Sequence, residues 1–130
     1  MGRLWVIGSA VLLAIACAES VAPKDEATYV VEVSGERFNV KVRGEAAIAG
    51  MEARLESGTT GVIIGQLQRG DGGFNDPWGW HLNPDSVTVA DMTIELCDGR
   101  PSMVQADLDY WMGSVKSFCP WGAKVVSRGN

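Results

Sequence analysis

A chain of 130 residues has room for one domain; this one is 46% hydrophobic, 21% charged and carries a formal charge of −5. That composition supports a packed core and excludes an intrinsically disordered chain. The acidity argues against nucleic acid as a partner, since a negative surface repels phosphate backbones, and it opposes lying flat on anionic lipid.

Residues 4–16 (LWVIGSAVLLAIA) are apolar without a polar face and too short to cross a bilayer comfortably; Arg3 precedes them and small residues close the run. This is the pattern of a secretory signal, so residues 1–17 are expected to direct export. Leu13-Ala14-Ile15-Ala16-Cys17 is similar to a bacterial lipobox, with Ala14 where Leu is commoner, and makes Cys17 the candidate lipid-attachment residue. Ala14-x-Ala16 or Ala16-x-Ala18 would also suit an ordinary signal peptidase. Cleavage removes Arg3 and no acid, leaving ten basic and sixteen acidic residues. Residues 18–27 (AESVAPKDEA) are small and polar and suit a short tether, and residues 28–130 form the domain. A lipid anchor would be its one link to the membrane, placing the protein in a bacterial cell envelope; without the anchor it would be secreted.

Residues 28–34 and 37–43 predict two strands joined at Ser34-Gly35-Glu36, with Phe38, Val40 and Val42 on one face of the second. Residues 45–57 predict a helix with Ile48, Met51 and Leu55 on its buried face, stopped at Ser57-Gly58. A third strand is expected over 61–68. Arg69 to Pro77 (RGDGGFNDP) is the strongest loop signal in the chain. Trp78 to Leu82 reads as extended, Asn83-Pro84-Asp85 as a turn, and 86–97 as strand from the alternations Val87/Val89 and Met92/Ile94/Leu96. A second helix is expected after Pro101, with Ser102 and Gln105 as a capping box and Val104, Leu108, Trp111, Met112, Val115 and Phe118 as its stripe. Residues 123–127 form a last strand. The sum is an α+β domain, mostly antiparallel sheet with two helices packed on it.

The odd cysteine count has a natural division. Lipidation of Cys17 leaves Cys97 and Cys119 to pair in an oxidising compartment, closing a loop worth about 3 kcal/mol; two buried free thiols are the alternative.

Chemistry-bearing motifs are few. His81 is the one histidine, and a Ser86-His81-Asp85 hydrolase would need all three to converge, with no Gly-x-Ser-x-Gly elbow present; a hydrogen-bonding or rim role is the plainer reading. Zinc-type spacing is absent, and Asp71, Asn75, Asp76 and Asp85 lack calcium-loop spacing, so no metal and no cofactor is expected. Trp78 and Trp80 alternate beside the polar loop. They could join Phe74, Asp76, His81 and Asp85 in a patch for a protein or a glycan, or they could pack the sheet against a helix.

Pro77-Trp78-x-Trp80-His81-Leu82-x-Pro84, Ile94-Glu95-x-Cys97-Asp98, Tyr110-Trp111 and Cys119-Pro120-Trp121 together carry a resemblance. The chain resembles the BP-seventy-four N-terminal domain family, named for a slime-mould calmodulin-binding protein. The hairpin 28–43 and the helix 45–57 also fit, so the resemblance covers the whole mature chain. It implies a small, often secreted domain, found alone or appended to others, with no assigned catalytic residues. Calmodulin binding belongs to the named protein, and no basic amphipathic helix is seen here. A non-enzymatic interaction domain is therefore the leading expectation; a small secreted hydrolase or a protease inhibitor using the His81 region is the rival.

Overall fold

The structure, a computed structural model, describes Gly2 and residues 25–129. The leader, Cys17 and most of the tether lie outside that range. Strands β1 (Glu26–Val33) and β2 (Glu36–Arg43) form the expected antiparallel hairpin, in the register Val30↔Asn39 and Val33↔Glu36. Period-two alternation decides their faces: Tyr29, Val31, Val33, Phe38, Val40 and Val42 are all buried. β1 begins at Glu26, inside the stretch read as tether. Helix α1 (Glu45–Ser57) sets Met51 into the core, with Ile48 and Leu55 beside it. It ends where Gly58 takes a left-handed conformation and donates its N–H to Arg54 O.

Strand β3 (Val62–Arg69) organises a second sheet. β4 (Trp80–Leu82) and β5 (Thr88–Ala90) pair with its two ends, and β6 (Ser117–Phe118) pairs with Gly65 and Gln66. β7 (Lys124–Arg128) returns to the first sheet beside β1, giving the order β2-β1-β7, and a bridge from Gly61 to Ala123 links the two sheets. All strand pairings are antiparallel, so the α+β reading holds. One core joins the layers through a chain of aromatic contacts: Phe38–Trp80, Phe38–Phe118 and Trp80–Phe118 have centroids 5.5, 5.6 and 5.3 Å apart.

Three expectations are corrected. The strand expected over 86–97 is confined to Thr88–Ala90. Val62, the first residue of β3, pairs with Ala90, and Gly61 already bridges Ala123, so residues 91–94 have no strand left to join. Glu95–Cys97 instead form one turn of 3-10 helix.

The long second helix is broken into α2 (Pro101–Ala106), a short turn α3 (Leu108–Tyr110) and a π-helical turn over Trp111–Val115. Asp107 leaves helical geometry and Lys116 takes a positive φ of 68°, which releases Phe118 from the stripe to pair with β3. Nor is there a capping box. The Ser102 N–H and hydroxyl both donate to the Glu36 carboxylate at 2.8 Å, so the hairpin turn of the first sheet caps the helix. Gln105 Oε1 instead accepts the Gly79 N–H at 2.7 Å.

Cys97 and Cys119 are disulfide-bonded with their Cα atoms 5.1 Å apart, as expected. Cys119 also donates its N–H to Cys97 O at 2.8 Å.

Candidate functional site

Residues 69–79 run from the end of β3 to the start of β4 along the outer edge of β2. The backbone groups that an edge strand leaves open are met by this loop. Asn39 N donates to Asn75 Oδ1 at 2.7 Å, Asn39 Nδ2 donates to Phe74 O at 2.9 Å, and Arg37 O accepts from Trp78 Nε1 at 2.9 Å. Further along the edge, Arg43 N donates to Pro84 O at 3.0 Å.

Asn75 is the pin of the arrangement. It is fully buried, and its amide also donates to Trp80 O at 2.7 Å. Only a side chain with both an acceptor and a donor can bridge Asn39 N–H and Trp80 C=O. The loop folds on itself as well: Asp71 O accepts from the N–H groups of Phe74 and Asn75, Asp71 Oδ1 accepts from Gly73 N, and Asn75 O accepts from Trp78 N. The Asp76–Pro77 peptide is cis.

His81, half-buried on β4, holds the near side of the loop. Its Nδ1 lies 2.7 Å from Gly70 O, a carbonyl that can only accept. Nε2 lies 2.9 Å from Gln68 Oε1. Phe74 meets the imidazole edge-on at 5.4 Å, and Gly72, at φ 66°, comes so close that a Cβ there would sit 2.8 Å from the ring. Phe74 also carries Lys41 Nζ over its ring, 5.3 Å from the centroid, a cation–π contact. Lys41 also lines a cleft of about 340 Å³ with Glu26, Thr28 and Arg128, at the ends of β1 and β7.

The sequence-predicted patch is thus divided. Phe74 and His81 lie together, partly exposed, with Asp76 exposed nearby. Asp85 is exposed but belongs to the next turn, where its carboxylate takes Arg43 Nη1 at 3.0 Å. Trp80 is fully buried at the centre of the aromatic cluster and is corrected to core: β4 turns it inward, opposite to His81. Trp78 is half-buried, 6.2 Å from Trp80, with its indole N–H spent on Arg37. Sequence reasoning missed Asn75 as the pin and Lys41 as the partner of Phe74. Asn75 differs from Asn83 only in what surrounds it after folding, whereas Lys41 could have been placed on the polar face of β2 by its alternation.

The geometry does not assemble a hydrolytic triad. The Ser86 hydroxyl donates to Asn83 O and accepts from Gln66 N, Asp85 pairs with Arg43, and both His81 nitrogens face Gly70 and Gln68. Among the described residues no group of three or more His, Cys, Asp or Glu side chains is placed to hold a metal ion.

Fold and loop together define a small disulfide-bonded α+β domain whose longest ordered loop is built into the edge of a sheet. The family model for the BP-seventy-four N-terminal domain matches residues 25–129, and the chain belongs to that family, as the aromatic and cysteine motifs implied. No curated protein and no solved structure matches it.

Proposed function

We propose that this chain is an exported, lipid-anchored, non-enzymatic binding domain that presents Phe74, His81, Lys41 and Asp76 to a protein or a glycan. The observation that carries the reading is the prior ordering of the loop. Asn75 and His81 fix its backbone from both sides, so Phe74 is held outward and a partner need not meet the entropy of arranging it. Loops held this way on a rigid scaffold are common places for recognition. The leader ending at Cys17 supports the address, and the Cys97–Cys119 bond supports an oxidising compartment.

Two measurements test the reading. Intact mass of the mature protein should show a diacylglyceryl group on Cys17; an N-terminus beyond Cys17 without lipid defeats the anchor. Binding of the full chain and of Phe74→Ala should be compared on a glycan array and against envelope proteins. Loss of an aromatic anchor should weaken binding by about 2 kcal/mol with folding retained. Unchanged binding by the folded variant defeats the assignment of the surface.

A further inference from the structure

A second surface stands apart from the loop. Met92, Ile94 and Leu96 are 74%, 66% and 64% exposed, three of the five large hydrophobic side chains found exposed among the described residues, and all within one five-residue stretch. Their exposure is enforced from both ends. Before the stretch, β5 is paired to β3, and Arg54 Nη2 donates to Ala90 O at 3.0 Å and to Asp91 at 3.2 Å. After it, Cys97 is buried and tied to Cys119. Between the pins Ile94 has extended backbone, and among the described residues no strand pairs with 91–94. The alternation that predicts a strand is present; its partner is not.

Charge selects the occupant. Residues 70–99 contain six carboxylates and no Lys or Arg. Within the segment, the Asp91 side chain is fully exposed and Glu95 is exposed. Arg54 is mostly buried and already paired with Asp91, so Glu95 is the exposed carboxylate of the strip with no ion pair among the described residues. An apolar strip of this kind disfavours an anionic lipid surface and favours a partner that brings apolar side chains together with a cation. We infer that Met92, Ile94 and Leu96, flanked by Asp91 and Glu95, form a docking strip for an extended, basic, apolar segment of another protein. The segment would lie along residues 91–94, set its apolar side chains on the three exposed ones and place Lys or Arg beside Glu95, where the 3-10 turn begins. Backbone pairing of the strand-addition kind is confined to residues 91–94, and Leu96 on the turn adds an apolar contact beyond it.

The test uses the full chain and two synthetic peptides, one of alternating leucine and lysine, the other of alternating leucine and glutamate. The lysine peptide should bind about tenfold or more tightly than the glutamate peptide. The triple variant Met92→Ser/Ile94→Ser/Leu96→Ser should lose that binding, and Glu95→Gln should weaken it. Glu45→Gln, on the exposed start of α1, should leave it unchanged, which separates local recognition from attraction to the acidic chain as a whole. If the triple variant does not fold, the single changes Ile94→Ser and Glu95→Gln carry the same comparison. Equal affinity for both peptides, or undiminished binding by the folded serine variants, overturns the proposal. Self-association of the wild type that the serine changes abolish, without peptide selectivity, assigns the strip to a second copy of the chain and also overturns it. Adsorption to phosphatidylglycerol vesicles that the serine changes abolish overturns it in favour of lipid.

Discussion

Replacing Asn75 by Ala removes the one side chain that joins the loop, the edge of β2 and β4. Two groups lose their partners, the Asn39 N–H and the Trp80 C=O, both now bonded at 2.7 Å. An unsatisfied buried polar group costs about 1–3 kcal/mol. The pair sets a range of about 2–6 kcal/mol, and water entering the vacated space favours its lower half. A loss of about 3 kcal/mol lowers the melting temperature of a domain this size by about 12 °C. Asn75→Asp is the sharper variant. Its carboxylate could still accept from Asn39 N–H, but its second oxygen would face Trp80 O with no proton between them. That variant should be as unstable as Asn75→Ala at pH 7 and should recover part of the loss near pH 4, where a protonated carboxyl can donate to Trp80 O. Asp76→Asn, one residue on and exposed, should melt within about 0.5 kcal/mol of the wild type. Urea unfolding followed by near-ultraviolet circular dichroism reads all three. An Asn75→Ala domain within about 1 kcal/mol of the wild type, or an Asn75→Asp domain matching it at pH 7, would refute the argument that this amide pins the loop.

Three further outcomes follow from the same contacts. Removing the disulfide with paired Cys97→Ser and Cys119→Ser changes, which opens a loop with a sequence separation of 22, should cost about 3 kcal/mol in urea unfolding, and mass spectrometry without reductant should find no free thiol on either cysteine. Glu36→Ala should destabilise by about 1–2 kcal/mol, because Ser102 loses the cap that the hairpin supplies, while Gln105→Ala should not act as the loss of a cap; comparing hydrogen exchange at Ser102 and Met103 separates the two. The trio Tyr29, Glu52 and Arg128 should set both limbs of the stability–pH curve. The Arg128 and Tyr29 hydrogen bonds hold the Glu52 carboxyl below its ordinary value, so its contribution is complete above pH 4.5 and is lost as pH falls through the depressed value. Burial, then the hydrogen bond to Glu52, pushes the Tyr29 hydroxyl up to about 12; its contribution is complete below pH 10 and is lost as pH rises towards 12. Urea midpoints across pH should show Glu52→Gln flattening the acid limb; an unchanged acid slope would count against the trio.

The first sheet was legible because its signals are local. Alternation through Phe38, Val40 and Val42 fixes which face of β2 is buried, and Gly58 marks the end of α1. The second half was less legible because its elements are decided by partners distant in sequence. Ser102 and Gln105 have the spacing of a capping box, yet a carboxylate 66 residues away satisfies Ser102 and leaves Gln105 to hold Gly79. Phe118 has helical spacing from Val115 and Trp111, but pairing with Gly65 draws it into a sheet. Met92, Ile94 and Leu96 alternate like a strand, but β3 starts at Val62, which already pairs with Ala90, so it has no residue to receive them. Of the predicted patch, Phe74 and His81 were found together from the sequence. Trp80 was not separable from Trp78 by pattern, since alternate residues share a face in a regular strand and Trp78 lies before β4 begins.

The covering of β2 has a consequence beyond recognition. A bare strand edge can accept a strand from any passing chain, and β2 carries Phe38, Val40 and Val42 on one face. Phe74, Asn75 and Trp78 close that edge with bonds that need no second molecule. Any lesion that lets residues 69–79 swing away uncovers a template for fibril growth while the rest of the sheet is still folded, so variants of the loop should show concentration-dependent aggregation before they show global unfolding.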